Sequence, residues 1–196
     1  MAKPNVVNKQ QLLRSAKEMI AEQGMEKLTL KAVAERTHVT QGTVYYHFKT
    51  KEQLLLEVTE SFCKSSWSQV ETDFSIEKAL HSAKSRCTQD SMYHHLFFQL
   101  VASGLQNEMI KERLGELLNY ENQELQKGLA QVWGESSLIE GISNETWSVM
   151  CNALIDGLAL QALLNPAFNI EKMYGGLEIC IEKAMALQEG KENSEE

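Results

Sequence analysis

A chain of 196 residues has room for one or two domains and a substantial core. Its formal charge of −8 argues against a polyanionic partner only until it is divided along the chain. Residues 1–51 carry nine Lys/Arg against four Asp/Glu, net +5, whereas residues 52–196 carry ten against 23, net −13. A basic head on an acidic body suits a nucleic-acid reader with a separate second domain.

In chain order, residues 1–7 read as an arm that is disordered or touches a groove, with Lys3 its only charged side chain. Asn8 caps a first helix whose face is Leu12, Leu13, Ala16, Met19 and Ile20, ending at Gly24. The next stretch, Thr29 to Leu55, reads TLKAVAERTHVTQGTVYYHFKTKEQLL. Thr29 caps a short helix with one apolar stripe, Leu30, Val33 and Ala34, and Lys31, Glu35 and Arg36 turned away. The period breaks at Thr37-His38-Val39, Thr40 caps a second short helix from Gln41, and Thr50 with Gln53 predicts a capping box for a helix entered at Lys51.

Two short helices across a three- or four-residue turn form a helix-turn-helix, whose second helix lies in the major groove of DNA. The residue types fit that task. Thr40, Thr43, Tyr45, Tyr46 and His47 can hydrogen-bond phosphate, and Lys51 places a cation at a helix mouth whose amides also favour an anion. Gln41 can pair with the N6/N7 edge of adenine, and Gly42 permits close approach to the groove.

Over about residues 8–60, and specifically in TQGTVYYHFKTKEQLL, the chain resembles the TetR family of bacterial transcriptional regulators. Thr29-Leu30 and Ala32-Val33-Ala34 match the preceding helix of that family. His38 departs from the glycine usual in its turn, and histidine enters left-handed backbone more readily than most residues. The resemblance implies an all-α protein: a three-helix head (residues 1–52, Thr29 included in its DNA contacts) and a helical ligand-binding and dimerisation body (residues 53–196). It also implies a double-stranded DNA operator, a small-molecule inducer and a homodimer. Repression relieved by inducer is the first expectation; activation, or regulation without a ligand, stays open.

The body reads as helical almost throughout. A helix from Lys51 to about Val70 buries Leu54, Leu55, Val58, Phe62 and Trp67, and residues 71–75 are a polar break. Helices follow over Ile76–Thr88, Ser91–Leu105 (with Leu105 on its apolar side), Glu108–Trp133, Glu145–Leu164 and Ile170 to about Leu187. Residues 188–196 read as a disordered tail. The segment WSVMCNALIDGLALQALL is apolar nearly all round and needs cover on more than one side. The resemblance implies that Trp147, Leu154, Leu158, Met173, Leu177 and Ile181 meet a second subunit, with Gly175-Gly176 allowing close approach; burial within one chain is the alternative.

The resemblance also implies a pocket in the body. Phe97, Phe98, Val101 and Tyr120 are candidate walls, though aromatic stripes are more often core. Glu121, between Leu117 and Leu125, interrupts an apolar stripe. It either faces a cavity and selects a cationic or hydrogen-bonding ligand, or lies at the stripe edge and pairs with a neighbour. Asn152 and Asp156 raise the same question.

Other classes find little support. Cys63, Cys87, Cys151 and Cys180 form no CxxC pair, and His81, Cys87, His94 and His95 match no zinc spacing, so no metal or cofactor is expected. No phosphate loop, nucleophile elbow, HExxH helix or dinucleotide fingerprint supplies a catalytic residue. An interaction module leaves the basic head unexplained. The start MAKPNVVNKQQ lacks the apolar core of a signal peptide, and no apolar run reaches the roughly 18 residues of a membrane span. A cytoplasmic protein with reduced cysteines is expected.

Overall fold

The computed structural model describes residues 7–70, 74–88, 91–134, 138–139 and 141–192. Among these it is all-helical, without a strand. The helices are α1 (Lys9–Gln23), α2 (Leu30–Arg36), α3 (Gln41–His47), α4 (Lys51–Val70), α5 (Ile76–Arg86), α6 (Met92–Gly104), α7 (Glu108–Trp133), α8 (Asn144–Leu164) and α9 (Ile170–Glu192). A single 3-10 turn, Met25–Lys27, which the sequence pattern did not suggest, joins α1 to α2. The expected amino-terminal arm falls almost wholly outside the described residues, as do residues 71–73 of the polar break and residues 193–196 of the tail.

Local side-chain chemistry fixes where the helices begin. Asn8, Thr29, Thr40, Ser75 and Ser143 each accept a hydrogen bond from the amide three residues on, and Asn8 and Gln11 complete a reciprocal box. The box at α4 differs from the expected one. Thr50 Oγ1 accepts from Gln53 N at 3.1 Å, but Gln53 Oε1 accepts from Lys49 N at 2.9 Å rather than from Thr50. His38 has φ 55°, the left-handed conformation its position predicted.

Several ends move. α5 stops at Arg86, where Cys87 turns its N–H back to the Lys84 carbonyl. α6 stops at Gly104, so Leu105, expected on the apolar side, is 80% exposed. α9 continues past Leu187 to Glu192, through the helix-forming Gln188, Glu189 and Lys191.

The chain divides into two compact units: Met1–Cys63 with His95–Gly115, and Lys64–His94 with Glu116–Glu196. In the first, α1 packs on α2 and α2 on α3. Its core includes Leu12, Ala16, Val33, Val44, Phe48, Leu54 and Val58, all fully buried. Polar links frame this core. Lys9 Nζ meets Glu57 at 2.7 Å, and Lys17 Nζ donates to Ser61 Oγ at 2.7 Å while lying over the Phe62 ring. Arg113 meets Glu60 at 2.5 Å, and Arg36 grips Glu22 with both terminal nitrogens, at 2.7 and 2.8 Å. The Arg36 guanidinium holds the Glu22 carboxyl below its ordinary range. Because that pair is exposed, its worth is small and screened by salt.

In the second unit Leu125, Leu129, Trp133 and Leu138 form a cluster against which Trp67, Phe74, Ile76, Trp147, Cys151, Ala184 and Met185 pack. Gly128 makes this possible: a Cβ there would stand 2.4 Å from the Phe74 ring. Tyr174 is fully buried, its hydroxyl 3.1 Å from Cys87 Sγ, and burial pushes the thiol of Cys87 and the phenol of Tyr174 above their ordinary values. By length and composition α8 is apolar enough to cross a membrane, contrary to the reading of its sequence. Its polar groups are nonetheless engaged inside this unit: Asn152 donates to Asn122 at 2.8 Å, and Asp156 lies 3.7 Å from His94.

The left-handed residue gives a stability test. His38→Gly should leave urea stability unchanged or raise it by up to about 1 kcal/mol, whereas His38→Val should lower it by about 1–2 kcal/mol. Equal stability of all three proteins would show that the turn relaxes without cost.

Candidate nucleic-acid interface and body cavity

Helix α3 is seven residues long and buries only Val44; Phe48, which caps it, is also fully buried. With those two anchors four residues apart on one side, the rest of the helix is turned outward. Gln41 and Gly42 are exposed, Tyr45 is 54% exposed and Tyr46 74%. His47 is half-buried, its ring edge-on to Tyr46 at 5.1 Å. Thr40 and Thr43 share a hydroxyl contact of 3.0 Å, and Thr29 accepts from Ala32 N while keeping its own hydroxyl proton to donate.

The cation beside this face is not the one expected. Lys51 is half-buried and donates from Nζ to the Met25 carbonyl at 3.3 Å, bracing the turn after α1. Lys49 takes the outward place, with Nζ 5.1 Å from the Tyr45 ring centre, 5.5 Å from that of Tyr46, and 3.2 Å from the Tyr46 carbonyl. Among the described residues it has no carboxylate partner, whereas Lys9, Lys31 and Arg36 all pair with glutamates. A lysine directly after the apolar Phe48 was the signal available in the sequence.

Gly42 has space around it. A Cβ there would meet Thr40 Oγ1 at 3.6 Å, ordinary contact, and its φ is not positive. Nothing inside the fold requires glycine at this exposed position.

The candidate pocket residues divide between the units. Phe97, Phe98 and Val101 lie in the first, where Phe97 is buried and packs edge-on with Phe98 at 5.5 Å. Tyr120, Glu121, Asn152 and Asp156 lie in the second. Glu121 takes the neighbour-pairing alternative, accepting from the Tyr93 hydroxyl at 2.7 Å. Asp156 faces the buried His94, whose Nδ1 is 3.0 Å from both Ser91 Oγ and the Arg86 carbonyl. A small cleft, partly open to solvent, does exist in the second unit, and of the seven candidates only Asn152 lines it. Its apolar side is Trp67, Ala79, Ala83, Leu125 and Ile155; its polar side is Ser66, Ser82, Arg86 and Asn152.

The residues expected at a subunit interface also separate. Trp147 instead packs into its own chain, edge-on to Trp133 at 6.0 Å. Leu154 is 43% and Met173 37% exposed, while Leu158, Leu177 and Ile181 are half-buried. Beside them Val149, Met150, Leu160, Leu164 and Ile179 are exposed, and no atom comes within 4 Å of a Cβ built at Gly175 or Gly176.

The first unit thus carries a helix-turn-helix with its second helix outward. The family described as bacterial regulatory proteins, tetR family, matches residues 12–58. Over this head it is 36% identical across 52 residues to the transcriptional repressor KstR2 of Mycolicibacterium smegmatis, covering 26% of this chain and 25% of the relative. It is 39% identical across 57 residues to the class C tetracycline repressor of Escherichia coli, covering 29% and 26%. The matches therefore span about a quarter of these relatives. The fold is also that of Thermus thermophilus FadR, a TetR-family repressor solved with lauroyl-CoA. The TM-score is 0.64 at 16% identity, over 91% of this chain and 95% of that one.

Gly42→Ala separates folding from contact. It should keep or raise stability by about 0.5–1 kcal/mol, since alanine is the better helix former, while weakening binding to duplex DNA. Undiminished DNA affinity would mean that the backbone at Gly42 does not approach a groove.

Proposed function

We propose that this protein is a sequence-specific DNA-binding transcriptional regulator, a repressor, that works as a homodimer in the cytoplasm and is controlled by a small molecule held in its body. The observation that carries the reading is the seating of α3: Val44 and Phe48 bury its inner side while Gln41, Tyr45, Tyr46 and Lys49 are left exposed. Gln41, at the amino-terminal end, is placed to read a base edge. The tyrosines and Lys49 would contact phosphates, as would Thr29, Thr40, Thr43 and His47.

Dimerisation is supported by the apolar residues that α8 and α9 leave uncovered, Met150, Leu154, Leu160 and Leu164 with Met173 and Ile179. A two-fold pair would present two copies of α3 one DNA turn apart, about 34 Å. Effector control is supported by the cleft and by α4, which runs through both units: Ser66 and Trp67 line the cleft, while Leu54 and Leu55 belong to the core beneath the head. FadR was solved with lauroyl-CoA, and a related regulator from Saccharomonospora viridis with choline. An effector that favours one placement of α4 would shift the balance between binding and non-binding states by its difference in affinity for the two.

Fluorescence anisotropy with DNA from upstream of the gene tests the reading. Tyr46→Ala and Lys49→Ala should weaken binding to all sequences and flatten its salt dependence, whereas Gln41→Ala should lose discrimination at one base position, worth about 1–3 kcal/mol. Absence of any salt-sensitive, sequence-selective binding would reject the proposal. Light scattering should give twice the chain mass for the native protein and the chain mass for Leu154→Glu; a native monomer at micromolar concentration would reject the dimer.

A further inference from the structure

We infer that the cleft in the second unit is a site for a small organic carboxylate with an apolar body, bound through the Arg86 guanidinium. The inference rests on the reading that the body holds an effector, and it assigns that effector a charge.

Arg86 is the one charged side chain on the cleft wall. Its Nε donates to the Ser82 carbonyl at 3.3 Å, and its guanidinium carbon lies 5.9 Å from the Tyr93 ring centre. Those contacts fix the side chain and leave both terminal nitrogens for a ligand. A planar fork held in that way suits two parallel hydrogen bonds to one carboxylate. The nearby carboxylates are committed elsewhere: Asp156 to His94, Glu121 to the Tyr93 hydroxyl, and Glu171 to Lys84. The charge on the wall is therefore positive and not neutralised by an ion pair among the described residues.

Asn152 spends one Nδ2 proton on Asn122 and keeps the other. Leu125, Ile155, Ala79 and Ala83 add an apolar wall to the same cleft. A cation would meet like charge at Arg86, and a neutral amide would cover the guanidinium without compensating it. The sign is opposite to the one that Glu121 suggested from the sequence.

Calorimetric titration of the full chain tests this with phenylacetate, indole-3-acetate and hexanoate as probes, against phenylacetamide and 2-phenylethylammonium. At least one carboxylate should bind with one site per chain, and the amide and the amine at least tenfold more weakly than phenylacetate. Arg86→Gln should erase that preference with the melting temperature kept. If Arg86→Gln does not fold, Arg86→Lys keeps the charge but not the fork and should weaken binding at least fivefold. Failure of every carboxylate to bind, equal binding of the amine or amide, or an unchanged preference in the Arg86 variant would overturn the assignment. DNA binding measured on the same preparation separates the two readings. Intact DNA binding without carboxylate binding sinks this inference alone, whereas carboxylate binding without DNA binding sinks the regulator reading and leaves the site.

Discussion

The structure's functional face depends on two buried side chains. A helix of seven residues does not hold together in water, because nucleation costs more than so few hydrogen bonds return. Helix α3 exists because Val44 and Phe48 are fully buried against the first unit's core. The same anchoring decides which residues point out.

Electrostatics look different once the side chains are placed. The head's excess of five positive charges suggests a diffuse basic surface. Much of it is spent on assembly: Lys9, Lys17, Arg36 and Lys51 brace α1, α2, α4 and the turn at Met25. The charge left beside α3 is concentrated at Lys49, over two aromatic rings that hold it near the carboxy-terminal end of the helix. A small number of positioned cations, backed by hydroxyls, is the better description of this surface.

The second unit handles polar groups by pairing them within the body. Glu121, Asn152 and Asp156, each of which interrupts an apolar face in the sequence, find Tyr93, Asn122 and His94. Such pairing is what a low-dielectric interior demands, since an unpaired buried carboxylate is far more costly than a paired one. It leaves Arg86 on the cleft wall, which no sequence periodicity singled out, with its terminal nitrogens to spare.

Sequence alone determined the helices, their caps and the left-handed His38, because these depend on residues within four positions of one another. Thr29 and Thr40 each bond an amide three residues away, and no distant contact is needed to foresee it. Tertiary structure alone decided where long side chains go and which polar groups they meet. Lys51 turned to Met25, Trp147 joined Trp133, and the cleft drew its walls from α4, α5, α7 and α8 rather than from the aromatic pair on α6. Those choices join residues 26, 14 and up to 89 positions apart, over distances at which a helical period carries no information.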